Sequence, residues 1–369
     1  MKVAILSCHT PSILWFRNDL IKAFLAKGCE VVAIGNEPES VWSEKFSKKN
    51  IRYVQISVER TGMNPVSEQK AYRSIKKVLK DEMPDKVFAY QAKTVIYGGV
   101  AAYKLGIKEF YPLIAGLGSV FMKEGLKAEF YKKLLRMQYK SGLRHAKKIF
   151  FQNSEDVEYF TERCLVHKGD IVMTPGSGVN TERFKVQTLP KRPAFICVSR
   201  IIRDKGVVEY MEAAKIAKAK YPDTRFLLVG PYDTNPSALK PRDLAPYIEE
   251  NIIEYFGEQE EVRPYYGQAS VCVLPSYREG VPKTVLEAMA SGRAIITTDA
   301  PGCRETVEYG RNGFLVPVRC AEAVAEKMEY FINNPEEIAK MGAEGRKMAE
   351  EKFDVNIVNG IILEAMDIV

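Results

Sequence analysis

Two glutamates eight residues apart form the first candidate site, Glu279 in a loop and Glu287 in an apolar helix pattern. The loop follows a buried strand pattern that ends at Pro275, and the helix pattern begins near Thr284. A loop that leads into a helix presents backbone N–H groups, which suit a phosphate. A carboxylate among apolar residues is costly unless hydroxyl or N–H groups satisfy it. The spacing of the two glutamates alone favours a capping acid and a surface glutamate, whereas the loop before the helix would suit a phosphate-bearing ligand.

Two cations, Arg200 and Lys205, form a second candidate group. They lie between the first strand pattern of the second half and a helix pattern that begins near Gly206. Fixed cations stabilise the charge that develops on a phosphate when one of its bonds breaks. Arginine makes a forked contact with phosphate and lysine makes a point contact. The alternative is a solvated charge cluster at the start of a helix.

These segments resemble the motifs of retaining glycosyltransferases of family 4. Residues 275–292 contain that family's E-x7-E spacing between a PS-x-x-EG start and a LEAMA-x-G end. Residues 197–206 are similar to its G/S-R-x4-K-G segment. Weaker similarity extends over residues 177–184, 229–231, 256–257, 298–305 and 310–316. The resemblance spans the chain and implies the GT-B fold, in which two Rossmann-like domains face a deep cleft.

The resemblance also implies roles for individual residues. Glu279 contacts the donor sugar beside the reacting centre, and Glu287 accepts hydrogen bonds from the ribose. Arg200 and Lys205 hold the diphosphate and, with Glu279, are the predicted catalytic residues. The remaining predicted donor contacts are Ser199, Gly257, Glu258, Gln259, Gly280, Val281, Lys283 and Thr284. Pro282 stands where many members have glycine, and it offers no N–H group.

The first half of the chain departs more from the family. Many members have a Gly-Gly pair after the first strand and a histidine near the donor sugar, but the loops at 9–17 and 115–119 contain neither at those positions. His9 either compensates or is structural. The predicted acceptor-side residues are Ser12, Arg17, Gly116, Gly118 and Ser119. These loops look closest to bacterial enzymes that add an N-acetylhexosamine to an undecaprenyl-diphosphate-linked sugar.

Strand patterns alternate with helix patterns along both halves, which predicts βαβ units and parallel sheets. The strand patterns are apolar throughout, as expected for strands covered on both faces. We therefore expect an α/β fold with two doubly wound domains, at residues 1–188 and 189–353, and ligands at the carboxyl ends of the strands. The last helix pattern, 354–369, either closes the second domain or crosses back onto the first.

The charge of the chain is unevenly distributed. Its 369 residues carry a net charge of +7, but 31 basic and 19 acidic residues give the first 188 residues +12. Ten of these basic residues lie in two predicted helices: Lys70, Arg73, Lys76, Lys77, Lys123, Lys127, Lys132, Lys133, Arg136 and Lys140. Solvated helix faces would explain them, but with a lipid-linked acceptor implied we expect a surface that binds anionic membrane. Nucleic acid is disfavoured because no recognition motif accompanies the charge.

Other functional classes are excluded by composition. Seven cysteines without CxxC spacing indicate reduced cytosolic thiols rather than a structural zinc site. Three histidines and the absence of a DxD motif argue against a bound metal, and no cofactor is expected. No apolar run approaches the ~18 residues of a membrane-spanning helix. We expect a cytoplasmic protein that binds peripherally to the inner face of the cell membrane.

The resemblance thus implies a retaining, metal-independent hexosyltransferase. The expected donor is a UDP-sugar, with an N-acetylhexosamine such as GalNAc or GlcNAc as the sugar, and the expected acceptor is a polyprenyl-diphosphate-linked saccharide in bacterial glycan or glycoprotein assembly. One alternative is a UDP-sugar 2-epimerase of the same fold, although no histidine–carboxylate set for proton transfer at carbon 2 is evident. The other is a non-catalytic nucleotide-sugar-binding protein, which the missing Gly-Gly pair and histidine suggest.

Overall fold

The chain divides into two compact units in a computed structural model that describes residues 1–59, 62, 64–117, 121 and 125–369. The first unit contains Met1–Ser177 and Val358–Val369, and the second contains Gly178–Ile357. Each unit has one parallel sheet with helices between consecutive strands. The predicted α/β class with two doubly wound domains is confirmed.

The sheet of the first unit has seven strands. They are β1 (Lys2–Leu6), β2 (Glu30–Gly35), β3 (Arg52–Gln55), β4 (Lys86–Tyr90), β5 (Phe110–Ile114), β6 (Ile149–Phe151) and β7 (Ile171–Met173). Their order is β3-β2-β1-β4-β5-β6-β7, and all neighbours are parallel. The order reverses between β1 and β4, so the loops after these two strands diverge and form the expected ligand position.

Helices connect these strands, and local chemistry sets their ends. They are α1 (Pro11–Ala26), α2 (Glu39–Ser47), α3 (Pro65–Glu82), α4 (Ala92–Leu105), α5 (Leu126–Leu143) and α6 (Ser154–Glu162). Asn64 caps α3 by accepting the Val66 N–H at 3.0 Å, and Pro65 occupies the first helical position, where no N–H is needed. The predicted helix that carries Lys127, Lys132, Lys133, Arg136 and Lys140 is observed as α5. In the part of the chain that the structure describes, no helix could span a bilayer.

The second unit repeats the plan with six strands. They are β8 (Ala194–Val198), β9 (Arg225–Val229), β10 (Glu254–Tyr255), β11 (Val271–Leu274), β12 (Ala294–Thr298) and β13 (Gly313–Val316). Their order is β10-β9-β8-β11-β12-β13, which reverses between β8 and β11. The helices are α7 (Val207–Lys220), α8 (Pro241–Glu249), α9 (Arg263–Gly267), α10 (Lys283–Ala290), α11 (Ala321–Asn333), α12 (Pro335–Glu351) and α13 (Val355–Ala365).

The units meet along the chain before Gly178, earlier than the boundary predicted at residue 188. The reason is that the intervening segment is hydrogen-bonded to the second unit. The Val179 N–H donates to the Phe353 carbonyl at 2.8 Å, and the fully buried Arg293 donates to the Gln187 carbonyl at 2.7 Å. Residues 178–188 therefore extend the second unit rather than close the first.

The C-terminal helix α13 begins in the second unit and ends in the first. Its buried residues Val358 and Ile362, followed by Met366 and Ile368, join the apolar core beside β1 and β2. Val358, Ile362 and Met366 recur every four residues, which is the spacing of one helix face, and Ile368 follows after the helix has ended. The last dozen residues thus complete the core of the unit in which the chain began.

Ile362→Ala should destabilise the first unit selectively, because Ile362 is fully buried. We expect its free energy of unfolding to fall by about 2–5 kcal/mol, from lost apolar burial and the cavity left behind. Ile357→Ala, in the same helix but 41% exposed, is the matched control and should cost less than about 0.5 kcal/mol. Denaturant unfolding with hydrogen exchange in β1 and β2 measures both; equal losses would contradict this role for α13.

Candidate functional site

The residues predicted to act on phosphate lie at the strand reversal of the second unit. Arg200 and Lys205 follow β8, and Glu279 follows β11, which pairs directly with β8. Both loops leave the carboxyl edge of the sheet, where open parallel sheets bind their ligands. The topology therefore brings together groups that are more than 70 residues apart in the chain.

Backbone contacts hold the two loops against each other. The Tyr277 N–H donates to the Asp204 carbonyl at 2.9 Å, and the Ser276 hydroxyl donates to the same carbonyl at 3.1 Å. A Cβ atom on Gly206 would lie 2.0 Å from the Pro275 carbonyl oxygen, so only glycine fits there. The segment carrying Lys205 is thus fixed relative to the loop carrying Glu279.

Lys205 and Glu279 form an ion pair between Nζ and Oε1, and their side chains are 21% and 11% exposed. A third loop supports Glu279, whose N–H donates to the Pro301 carbonyl at 2.9 Å. Gly302 packs so closely that its Cβ would lie 2.2 Å from the Gly280 carbonyl oxygen. The turn after β12, which lies in the similar segment 298–305, therefore positions the carboxylate that lies against the cation.

Arg200 has a partner that the sequence did not suggest. Its Nη1 atom lies 2.6 Å from Oδ2 of Asp233, in the loop after β9. No local spacing could have revealed this pair, because it depends on the pairing of β8 with β9. The two candidate phosphate-binding cations are therefore each paired with a carboxylate.

Glu287 lies on α10 with its carboxyl group largely withdrawn from solvent. Burial raises the pKa of this carboxyl to about 7, against the opposing effects of Lys283 and Arg183. The hydroxyl of the buried Tyr266 donates to the Thr284 carbonyl at 2.9 Å in the same helix. A carboxyl group that exchanges its proton near neutral pH suits a ligand with hydroxyl groups, since it can donate or accept a hydrogen bond.

The other predicted donor contacts are distributed over three loops. Helix α10 begins at Lys283, so its first turn directs backbone N–H groups towards the loop that contains the buried Gly280 and Val281. The Gly257 carbonyl accepts the Gly230 N–H at 2.8 Å after the neighbouring strand. Ser199 lies directly after β8, beside Arg200. Glu258 and Gln259 follow β10; Glu258 is exposed, and the Gln259 amide donates to the Phe256 carbonyl.

Two of the predicted acceptor-side residues, Ser12 and Arg17, lie on α1, which follows β1 at the β1–β4 reversal. Ser12 is buried, with its hydroxyl 2.9 Å from the Tyr90 hydroxyl. The Arg17 side chain is also buried, 5.0 Å from the Tyr90 ring centroid, and burial lowers its pKa to about 10. Gly116 follows β5, whereas Gly118 and Ser119 lie outside the described residues.

Gln91 is a further residue of this edge that sequence reasoning missed. Its backbone φ of 75° is unusual for a residue with a side chain. Its Oε1 atom accepts the Ser7 hydroxyl and the Cys8 N–H, each at 2.9 Å. The amide therefore ties the loop after β1 to the end of β4, and strained backbone of this kind is found preferentially at ligand sites.

The predicted membrane-binding cations lie on α3 and α5. Lys70, Arg73 and Lys77 are exposed on α3, with Lys76 partly exposed; Lys127, Lys133 and Lys140 are exposed on α5. Lys132 and Arg136 lie 2.8 and 3.7 Å from Glu129, and Lys123 lies outside the described residues. Large apolar side chains accompany this charge on α5, with Leu126, Phe130 and Met137 exposed by 93%, 67% and 62%.

Two family models match separate parts of the chain. The model described as glycosyl transferase 4-like matches residues 2–153, and the model described as glycosyl transferases group 1 matches residues 192–334. The first match lies in the first unit and the second in the second unit.

Similar proteins extend over the whole chain. The N,N'-diacetylbacillosaminyl-diphospho-undecaprenol alpha-1,3-N-acetylgalactosaminyltransferase of Campylobacter jejuni is 27% identical, covering 100% of this chain and 98% of its own. The putative glycosyltransferase EpsD of Bacillus subtilis is 27% identical over 92% and 88%. Among solved structures, sucrose-phosphate synthase of Thermosynechococcus elongatus has a TM-score of 0.79 at 20% identity, covering 99% and 98%. Anabaena HepE in complex with UDP-glucose has a TM-score of 0.78 at 16% identity, covering both chains completely.

Glu287→Gln should stabilise the unliganded protein above neutral pH. A carboxyl whose pKa is raised to about 7 from 4.5 binds its proton more tightly in the folded chain. The contribution of Glu287 to folding stability is therefore most favourable below pH 4.5 and declines as pH rises to about 7. We expect the variant to gain about 1–2 kcal/mol at pH 8, after discounting partial exposure, and almost nothing at pH 4.5.

The measurement is denaturant unfolding of both proteins at several pH values between 4.5 and 8. Glu351→Gln, which removes an exposed carboxylate at the end of α12, is the control and should show no such pH-dependent gain. A loss of stability in Glu287→Gln at pH 8 would show that the ionised carboxylate is well satisfied in the folded chain.

Proposed function

We propose that this chain, which belongs to the GT-B glycosyltransferases, transfers a sugar from a UDP-sugar to a lipid-linked saccharide. Its first unit matches the glycosyl transferase 4-like model, and its second unit matches the glycosyl transferases group 1 model. The observation that carries the proposal is the contact of Lys205 with Glu279 at the strand reversal of the second unit. A cation for phosphate and a carboxylate for sugar hydroxyls then lie on adjacent loops. This is the separation of roles that a bound sugar diphosphate requires.

The proposed donor is a nucleoside diphosphate sugar. Arg200 and Lys205 supply the charge that a diphosphate needs, and the first turn of α10 supplies N–H groups. Glu287 would face the ribose hydroxyls, which its pKa near 7 suits. HepE, which shares the fold, is described in complex with UDP-glucose, and that supports UDP as the nucleotide.

The proposed reaction proceeds with retention at the anomeric carbon. The bond between that carbon and the diphosphate oxygen breaks, and its electron pair stays on the phosphate. An acceptor hydroxyl attacks the anomeric carbon from the same face from which the leaving group departs. The oxygen of the departing phosphate takes the proton of that hydroxyl. Lys205 and Arg200 stabilise the charge that develops on the phosphate. Glu279 orients the sugar through its hydroxyl groups and forms no covalent bond.

This donor site needs no divalent metal in the proposed mechanism. The two cations take the place that a metal would occupy beside a diphosphate, and the sequence has no DxD motif. Among the described residues, no group of three or more histidine, cysteine or acidic side chains could hold a metal ion. Because Lys205 and Arg200 would balance the diphosphate charge, we expect transfer to persist in the presence of EDTA.

The proposed acceptor is a saccharide on a polyprenyl diphosphate, used in bacterial glycan or glycoprotein assembly. The name of the Campylobacter jejuni relative describes transfer of N-acetylgalactosamine to a diphospho-undecaprenol-linked sugar, and the alignment covers that protein almost completely. We accordingly propose an N-acetylhexosamine, GalNAc or GlcNAc, as the transferred sugar.

An anionic membrane surface is the proposed location of this acceptor, on the cytoplasmic side. The support is the combination on α5 of exposed Lys127, Lys133 and Lys140 with exposed Leu126 and Phe130. Each basic residue near an anionic bilayer contributes about 1 kcal/mol, and apolar side chains add burial in the interface. A merely solvated helix face would not place large apolar side chains in water beside the charge.

Lys205→Ala should abolish transfer while the fold is retained. Removing the cation withdraws stabilisation from the departing diphosphate, and we expect kcat to fall by about 100- to 1000-fold. Lys215→Ala, an exposed lysine of the neighbouring helix α7, is the control and should be unaffected. A panel of UDP-sugars with lipid-diphosphate acceptors, read by mass and anomeric configuration, measures both.

The same panel separates the alternatives. Near-normal turnover by Lys205→Ala would contradict the assigned site. An epimerised UDP-sugar formed without acceptor would identify a 2-epimerase instead, and binding of UDP-sugars without any product would identify a binding protein.

Membrane binding should depend on the exposed face of α5. The triple substitution Lys127→Glu, Lys133→Glu and Lys140→Glu should weaken binding to phosphatidylglycerol vesicles by at least about 10-fold, from the loss of attraction and the gain of repulsion. The matched control reverses exposed Lys191, Lys215 and Lys347 in the second unit and should leave vesicle binding unchanged. Vesicle flotation measures both; equal binding to neutral phosphatidylcholine vesicles would contradict an electrostatic surface.

A further inference from the structure

The ion pair between Asp233 and Arg200 is unequally buried. The Asp233 side chain is 7% exposed, whereas that of Arg200 is 35% exposed. A pair on the surface would leave both groups in water and would contribute little. Here the carboxylate has been taken out of water, which is costly unless hydrogen bonds satisfy it. The asymmetry indicates an anchored acid that holds a cation at the edge of the site.

Backbone hydrogen bonds fix the Asp233 loop to the Arg200 segment. The Ile201 N–H donates to the Pro231 carbonyl at 2.9 Å, so the two loops lie side by side. Oδ1 of Asp233 accepts the Asn235 N–H at 2.8 Å, which orients the carboxylate within its own loop. The position of Oδ2 beside Arg200 is therefore set before any ligand arrives.

This contact leaves Arg200 able to bind a second group. A guanidinium has five N–H groups in a rigid fork, and the Asp233 contact engages Nη1. Because Asp233 offsets part of the charge of Arg200, the orientation of the guanidinium matters for the diphosphate as well as its attraction. Orientation matters, since a misplacement of about 1 Å in a catalytic site can cost about 100-fold in rate.

We propose that Asp233 is a positioning residue of the donor site, which holds the Arg200 guanidinium in the orientation that grips the donor diphosphate. The inference rests on the proposed function and adds to it a residue that acts through another. Since Asp233 works through Arg200, its removal matters only while Arg200 is present. A general structural role of the loop would instead make the loss independent of Arg200.

The test is a double-mutant cycle on the full chain. Asp233→Ala should lower kcat/KM for transfer by about 10- to 100-fold, mainly through kcat, while UDP affinity changes less than 3-fold. Asp233→Asn keeps an oxygen beside Arg200 and should recover part of the rate. In an Arg200→Ala chain, assayed by single turnover at high enzyme concentration, Asp233→Ala should cause no further loss.

Asn235→Ala is the matched control. Its side-chain oxygen accepts the Ser237 N–H at 2.9 Å in the same loop without touching Arg200, so its loss tests the loop alone. A rate loss in Asn235→Ala equal to that of Asp233→Ala would overturn the inference. So would the same fold-loss from Asp233→Ala with and without Arg200.

Calorimetry with UDP distinguishes this failure from failure of the proposed function. A wild-type chain that binds UDP and transfers sugar, but shows additive losses, contradicts positioning alone. A wild-type chain that neither binds UDP nor turns over a UDP-sugar contradicts the proposed function, and the inference falls with it.

Discussion

Direct backbone contact between strand-end loops is the constraint on which the candidate site depends. Gly206 lies against the Pro275 carbonyl, and Gly302 lies against the Gly280 carbonyl, with no room for a side chain at either contact. Because three loops are locked together in this way, Lys205 meets Glu279 without any ligand to order them. Pre-formed geometry lowers the entropy that binding must overcome.

The charges of the site follow from the same arrangement. The cations that would attract a diphosphate are held by carboxylates, so the unliganded chain avoids two unpaired charges at its sheet edge. The carboxyl group of Glu287 differs from those of Asp233 and Glu279, because burial raises its pKa to about 7. It is therefore partly protonated near neutral pH. Both cations of the candidate site in the second unit are thus paired with carboxylates.

The sequence predicted the parts of this site that are local in the chain. Strand periodicity followed by motif residues placed Arg200 after β8 and Glu279 after β11, because the carboxyl end of a parallel strand is also where ligands bind. Asp233 could not be predicted, since it reaches Arg200 only through the pairing of β8 with β9. Linker composition predicts a boundary at residue 188, whereas the structure divides before Gly178, because buried Arg293 donates hydrogen bonds to the carbonyls of Gln187 and Thr188.

The proposed function requires that the loops after β8 and β11 bind a nucleoside diphosphate through Lys205 and Arg200. A crystal structure of the full chain with UDP would test this binding. We expect phosphate oxygens about 2.7–3.2 Å from Lys205 Nζ and from the Arg200 guanidinium, with the ribose against Glu287. UDP bound elsewhere, or bound with its diphosphate away from both cations, would contradict it.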